Sequence, residues 1–276
     1  MRKFLIPDIE SIIHKNLTAN KLNLSDQWNA SNSTNTKFFF LDDLLPNDLV
    51  NKIYQNFPDQ SSSIWRKVDT FREKKSAFAK INTLDDIIIN ITDAFHSKEV
   101  IGIVQEICGI NDLEADPSLY AGGISMMQTG DFLNPHIDNS HDGMRKRYRR
   151  LNLLYYVSPN WDSSCGGNFE LWDKNVIEPT VLLSNYNRLI VMETNHQSWH
   201  SVNKVVSCNP RYCVSNYYFS KSSPKNEKEY YHPTSFLGRP SQKFLRAFCR
   251  LDNLLRHGFT ALTGIRRGKK LTRYSS

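Results

Sequence analysis

Apolar residues recur along this chain with two periods, helical up to about residue 109 and alternating from Tyr120 onward. The first 36 residues are polar and rich in Asn, Ser and Thr, with a turn or two of helix predicted over 9–17 and a linker over 29–36. Phe38-Phe39-Phe40-Leu41 reads as a short strand. Asp42-Asp43-Leu44-Leu45-Pro46 then opens a helix with Pro46 in its first turn, because proline's missing N–H costs nothing there. Leu49, Ile53 and Phe57 continue it at helical spacing, and Pro58 closes it. Residues 64–80 mix aromatic and β-branched side chains with charges and read as strand, while 84–95 and 99–108 read as helices ended near Gly109. From Tyr120 the pattern predicts eight short strands, over 124–128, 132–138, 149–157, 168–172, 181–183, 188–193, 200–206 and 211–219. Residues 241–257 predict a last helix with Phe244, Phe248, Leu251 and Leu255 on one face and Arg246, Arg250 and Arg256 mostly elsewhere.

Eight short strands punctuated by Gly, Pro, Asn and Asp suggest a double-sheet jelly roll. The expected class is therefore α+β: a jelly-roll core, an N-terminal helical support layer and a C-terminal basic helix. The boundaries expected are a polar arm over 1–36, a helical and strand support region over 37–115, the core over 116–221 and a basic tail over 222–276. No internal repeat is visible.

Composition and charge refine this picture. No apolar run approaches the ~18 residues a membrane helix needs, and residues 1–8 lack the apolar core of a signal peptide. The cysteines, Cys108, Cys165, Cys208, Cys213 and Cys249, are odd in number and form no Cys-x-x-Cys, which favours a reduced, cytoplasmic setting. The glycosylation-like triplets at Asn16, Asn29 and Asn32 are then coincidental. Residues 239–276 hold ten Lys/Arg against one Asp, a net of +9, which leaves −2 for the rest of a chain whose total is +7. The apolar face of the tail helix is expected to dock on the body, with contact to an anionic membrane or another polyanion as the second choice. The run Arg145-Lys146-Arg147-Tyr148-Arg149-Arg150 reads either as a solvated turn or as an anion-attracting rim for an acidic substrate.

The candidate chemistry starts at Asn134-Pro135-His136-Ile137-Asp138. On a strand, positions two apart point to one face, so His136 and Asp138 can offer an imidazole nitrogen and a carboxylate oxygen to one metal ion. A third ligand is available in His200, far downstream in Gln197-Ser198-Trp199-His200-Ser201-Val202. Two His and one carboxylate on one side of a metal suit non-haem Fe(II) enzymes that activate oxygen. His196 and His141 compete with His200 on proximity alone. If the co-substrate is 2-oxoglutarate, its far carboxylate needs a cation within the barrel, and an Arg fork can grip it with two hydrogen bonds. Arg211 stands eleven residues after His200, beyond an Asn209-Pro210 turn, which would start it on the strand next to that of His200.

Residues 122–219 also resemble a known family, the 2-oxoglutarate/Fe(II) dioxygenases of the prolyl 4-hydroxylase-like branch. The resemblance runs in order through Pro135-His136-Ile137-Asp138, Leu151-Asn152-Leu153-Leu154-Tyr155-Tyr156-Val157, Asn160-Trp161-Asp162, Gly166-Gly167-Asn168-Phe169-Glu170-Leu171-Trp172, Pro179-Thr180, Asn187-Arg188-Leu189-Ile190-Val191, His200-Ser201-Val202 and Arg211. It implies a double-stranded β-helix and an enzyme coupling decarboxylation of 2-oxoglutarate to hydroxylation of an unactivated C–H. It implies His136, Asp138 and His200 as iron ligands, and Arg211 and Tyr156 at the distal carboxylate of 2-oxoglutarate. Ascorbate joins Fe(II) and 2-oxoglutarate among the cofactors it allows. The Ser201-Val202 that follows His200 favours it over His196 and His141. A further co-substrate tyrosine of some relatives is replaced here by Met126-Met127-Gln128, and the retained Asp138 argues against a halogenase.

The expected primary substrate is a protein (prolyl) or small-molecule C–H, with a glycan-precursor hydroxylase as the alternative, and residues 1–36 and 222–276 are where substrate identity would be encoded. A reading of another class is a non-catalytic metal- or polyanion-binding jelly roll that uses the basic tail.

Overall fold

The computed structural model describes residues 6–34, 36–224 and 230–263, and their regular structure comprises six α-helices and thirteen strands. Two helices come first, α1 (Ile6–Ala19) and α2 (Lys21–Asn29). A polar arm with a turn or two of helix understates this segment. Ile9, Ile13 and Leu17 of α1 and Leu24 and Trp28 of α2 are all buried. Their four-residue spacing makes one apolar face on each helix, and the Asn, Ser and Thr residues fall mainly outside it.

β1 (Phe38–Leu41) and α3 (Asn47–Gln55) follow, with Pro46 at the helix cap, just ahead of the first turn. α1 packs on α4 (Asp86–Ala94) and α5 (Lys98–Cys108), and α2 packs on α5 and β1. Asp85 and Ser97 start α4 and α5 by accepting hydrogen bonds from the amides of Ile87 and Val100. Gly109 ends α5 at φ +66°, a left-handed conformation that costs glycine little. Since Ile13 is fully buried, Ile13→Ala is expected to cost about 2–5 kcal/mol in urea unfolding followed by circular dichroism. A loss below about 0.5 kcal/mol, the range of surface substitutions, would mean that α1 does not belong to the folded core.

Residues 64–80 form a hairpin, β2 (Arg66–Asp69) and β3 (Glu73–Phe78). The remaining strands are β4 (Leu113–Ala115), β5 (Gly123–Met127), β6 (Phe132–Ile137), β7 (Tyr148–Tyr156), β8 (Phe169–Trp172), β9 (Pro179–Leu182), β10 (Arg188–Glu193), β11 (His200–Val202), β12 (Arg211–Ser220) and β13 (Ser235–Phe236). One side of the roll runs β1-β10-β7-β12-β5 and the other β6-β11-β8-β9. β3 pairs with both β5 and β6 and joins the two sides. This is the expected jelly roll with a helical layer on one face.

Alternation along the strands sorts side chains between two cores. Leu151, Leu153 and Tyr155 of β7 pack outward under the helices. Tyr156, with Ile190, Met192 and Cys213, packs between the two sides of the roll. Between Arg149 and Leu151 the β7–β12 ladder slips, leaving Arg150 as the extra residue.

The neighbour expected for Arg211 is wrong. β11 lies between β6 and β8, whereas β12 lies between β5 and β7. Both edges of β11 are already hydrogen-bonded, so the chain cannot fold back onto it at Asn209-Pro210. It crosses to the other side of the roll. β11 also stops at Val202, after which the Asn203 side chain, rather than a backbone carbonyl, accepts from the Asn168 amide at 2.8 Å.

The last helix, α6 (Lys243–Thr263), is longer than expected and docks by the opposite face. Phe244, Phe248, Leu251 and Leu255 are exposed. Cys249 is buried and Leu245 packs against the inner core. The surface beneath α6 presents backbone carbonyls, and polar side chains match it. Arg246 donates to the carbonyls of Val176 (2.8 Å) and Gly238 (3.1 Å), and Asn253 donates to that of Phe236 (2.8 Å). Asp252 pairs with Arg72 at 2.5 Å. The run 266–270 lies outside the described residues.

Candidate functional site

His136 is the fifth residue of β6 and faces His200, the first residue of β11, directly across the ladder, with ring centroids 4.0 Å apart. Each ring is oriented the same way. Nδ1 of His136 lies 3.1 Å from the Asn134 carbonyl and Nδ1 of His200 lies 2.9 Å from that of Ser198. A carbonyl can only accept, so Nδ1 carries the proton and Nε2 keeps its lone pair. Both Nε2 atoms point at Asp138, one residue past β6, at 3.8 Å from its two oxygens. Burial first, and for His136 the second imidazole next, holds both rings below the ordinary histidine range. The neutral imidazole is the form that binds metal.

Ligand atoms of His136, Asp138 and His200 lie within 4.8 Å of one another, and no other described group of three or more His, Cys, Asp and Glu could hold a metal ion. A buried N,N,O set with its lone pairs converging fits a divalent transition metal. The competing histidines stand apart. His196 is exposed in the turn before β11, and His141 Nδ1 is hydrogen-bonded to Ser140 Oγ at 2.7 Å while its ring packs on Tyr148 and Tyr231.

The triad opens into a cavity of about 290 Å³ inside the roll. Arg211 and Tyr156 line the same cavity, from adjacent strands β12 and β7. The guanidinium lies 5.1 Å from the Tyr156 ring. Arg211 Nη1 donates to the Gly167 carbonyl at 2.5 Å and to Ser184 Oγ at 3.3 Å. Gly167, at φ +64°, lies so close over Arg211 that a Cβ there would sit 3.1 Å from Arg211 Cδ. Arg211 Nε and the Tyr156 hydroxyl are buried with no hydrogen-bond partner among the described residues. Burial raises the Tyr156 phenol far above its ordinary value despite the cation beside it, so it stays protonated and can donate. Of the run Met126-Met127-Gln128, Met127 lines the cavity.

The structure adds a residue that the sequence reading treated only as part of a charge run. Arg149 is buried, with Nη1 3.2 Å from Asp138 Oδ2 and its guanidinium carbon 4.0 Å from the Tyr217 ring centre. All three of its nitrogens lack a geometrically good hydrogen bond. Arg147 is tied to Asp142, Glu114 and Asp116 at 3.0–3.5 Å. Of the run, Arg145 and Lys146 are exposed and Arg150 donates to the Ser222 carbonyl at 3.4 Å. Beside Ser140, both ring nitrogens of His232 are buried with no hydrogen-bond partner among the described residues. Burial and nearby His196 lower it to about 4, so it is neutral near pH 7.

Residues 122–219, which carry the triad, Arg211, Tyr156, Gly167, Ser184 and Arg149 but not His232, match the family model of the 2OG-Fe(II) oxygenase superfamily. This stretch belongs to the 2OG-Fe(II) oxygenase superfamily. The chain is thus an oxygenase whose cofactors are Fe(II) and 2-oxoglutarate. Solved structures agree on the fold. A Pseudomonas putida prolyl-4-hydroxylase is 13% identical with a TM-score of 0.55, over 74% of this chain and 98% of that one. A Trichoplax adhaerens prolyl hydroxylase, solved with a hypoxia inducible factor peptide, is 18% identical with a TM-score of 0.51, over 76% and 92%. The α-ketoglutarate-dependent epimerase SnoN from nogalamycin biosynthesis is 10% identical with a TM-score of 0.53, over 83% and 89%. By sequence, no curated protein matches the chain. Among the described residues, no helix is long and apolar enough to cross a membrane.

Proposed function

We propose that this oxygenase is a hydroxylase of an unactivated C–H, with His136, Asp138 and His200 holding the iron and Arg211 and Tyr156 holding 2-oxoglutarate. The observation that carries this reading is the shared cavity. A buried guanidinium and a buried phenol with unused donors face the same 290 Å³ space as the triad. Leaving such groups unpaired is costly, and a carboxylate end would satisfy both. When bound, the iron with 2-oxoglutarate supplies oxygen activation and the oxidising power for C–H cleavage.

The residues of the chain do the rest. The two carbonyls behind His136 and His200 fix which nitrogen faces the metal. Gly167 and Ser184 orient the Arg211 fork, and the apolar walls of the cavity, Leu133, Leu154 and Val202 among them, exclude water. Arg149, ion-paired with Asp138 and with nitrogens that lack a good hydrogen bond, is our candidate to take a carbonyl or carboxylate oxygen of the primary substrate. That fits a peptide segment or a small acid. A prolyl hydroxylase solved with a hypoxia inducible factor peptide and an epimerase of nogalamycin biosynthesis are both among the structural neighbours. All five cysteines are free, which supports a cytoplasmic setting.

The test is spectroscopic and then catalytic. The anaerobic Fe(II) protein with 2-oxoglutarate is expected to show a metal-to-ligand charge-transfer band, and admission of O2 to release succinate even without primary substrate. Peptides or metabolites that stimulate turnover in wild type should fail to do so in Arg149→Gln. Absence of both the band and succinate in wild type would favour the non-catalytic, polyanion-binding jelly roll instead. Stimulation unchanged by Arg149→Gln would remove Arg149 from the substrate site.

A further inference from the structure

The longest helix among the described residues turns its apolar stripe to solvent. Phe244 is 95% exposed and Leu254 71%, and Phe248, Leu251 and Leu255 are exposed with them. Positions 244, 248, 251 and 255 fall on one helical face. The stripe cannot roll inward, because the opposite face is pinned through Arg246, Cys249, Asp252 and Asn253. Phe71, at the tip of the β2–β3 hairpin, is itself exposed and meets Phe248 edge-on at 5.6 Å, so the patch extends onto the body.

The border of the patch is basic. Lys243 and Arg250 are exposed beside it, and the Arg72 guanidinium lies 4.9 Å from the Phe71 ring centre. Asp252, the one acidic residue after position 238, is neutralised by Arg72. The sequence after Thr263 adds Arg266, Arg267, Lys269, Lys270 and Arg273.

An apolar patch this continuous marks a surface that is covered in use. A second copy of the chain would bring two basic borders together, which like-charge repulsion opposes. A nucleic acid would engage the cations but leave the Phe and Leu side chains in water. An anionic bilayer accepts both parts at once, apolar side chains at the acyl boundary and cations among the headgroups. Its charges also keep α6 from crossing the bilayer. We propose that α6 is an in-plane anchor that binds this oxygenase to anionic membrane surfaces. The two elements that α6 grips, β13 and the β2–β3 hairpin, also wall the active-site cavity through Phe236, Glu73 and Lys75. Anchoring would therefore hold one wall of that cavity close to the lipid.

Sedimentation of the full chain with vesicles tests this. Vesicles of equal parts phosphatidylserine and phosphatidylcholine are expected to carry the protein down, and pure phosphatidylcholine vesicles to do so at least about tenfold less, because the basic border contributes much of the affinity. Phe244→Glu with Leu254→Glu should cut binding by at least about tenfold, since burial of apolar area drives insertion. Lys243→Glu with Arg250→Glu, or high salt, should also weaken it. Both double variants should keep basal succinate release and a native circular dichroism spectrum. The proposal is overturned if wild type stays in the supernatant with anionic vesicles, or if the apolar double variant binds as wild type does. It is equally overturned if lipid-free wild type is a dimer that this variant abolishes, or if wild type binds mixed-sequence RNA but not vesicles.

Discussion

Arg211→Met is expected to leave Fe(II) bound and to weaken 2-oxoglutarate by about 3–5 kcal/mol, the cost of removing one partner from a buried ion pair. The guanidinium is buried, half-satisfied by the Gly167 carbonyl and Ser184, and keeps Nε free for a ligand. No other basic residue lies on β12, so no neighbour on that strand can substitute. Arg211→Lys should recover only part of the affinity, because an ammonium cannot make a forked contact. Tyr156→Phe should cost less, about 1–2 kcal/mol for one hydrogen bond to a charged group. The measurements are the 2-oxoglutarate dependence of succinate release and of the anaerobic charge-transfer band. Wild-type affinity in Arg211→Met would show that the co-substrate carboxylate sits elsewhere.

Metal binding should respond as sharply. His136→Ala, Asp138→Ala and His200→Ala are each expected to abolish Mn(II) binding in calorimetric titration, whereas His196→Ala leaves it unchanged. Each triad member supplies one of only three converging donors, and two donors of this set make a far weaker site. His196, exposed in a turn and within 3.2 Å of Gln197 Nε2, has no path to Asp138 without unravelling the start of β11. Normal affinity in His200→Ala combined with loss in His196→Ala would exchange their roles.

Much of the candidate site was legible because its metal-type side chains follow local rules. A two-residue spacing on a strand puts His136 and Asp138 on one face whatever surrounds them. Tyr155 and Tyr156 must likewise part company, one into the helical core and one into the cavity. The charge run hid Arg149 for a reason that alternation alone misses. Counting back in twos from Tyr156 sends Arg150 inward and Arg149 outward. The extra residue at the β7–β12 slip reverses that order and places Arg149 beside Asp138. His232 stood outside the matching segment, in a stretch with no periodicity to read.

The sequence by itself determined the local periods: helices before Gly109, alternating strands after Tyr120, and a strand that holds two metal-type ligands on one face. Those follow from backbone geometry within a few residues. Pairing across the sheet was decided by tertiary structure, because a strand's partner depends on which edges are still open. β11 is flanked by β6 and β8, so Arg211 enters the cavity from the opposite side of the roll. The direction of α6 was decided the same way. Its apolar stripe was plain in the sequence, but the surface it met offered carbonyls from Val176, Phe236 and Gly238, and only the polar face could satisfy them.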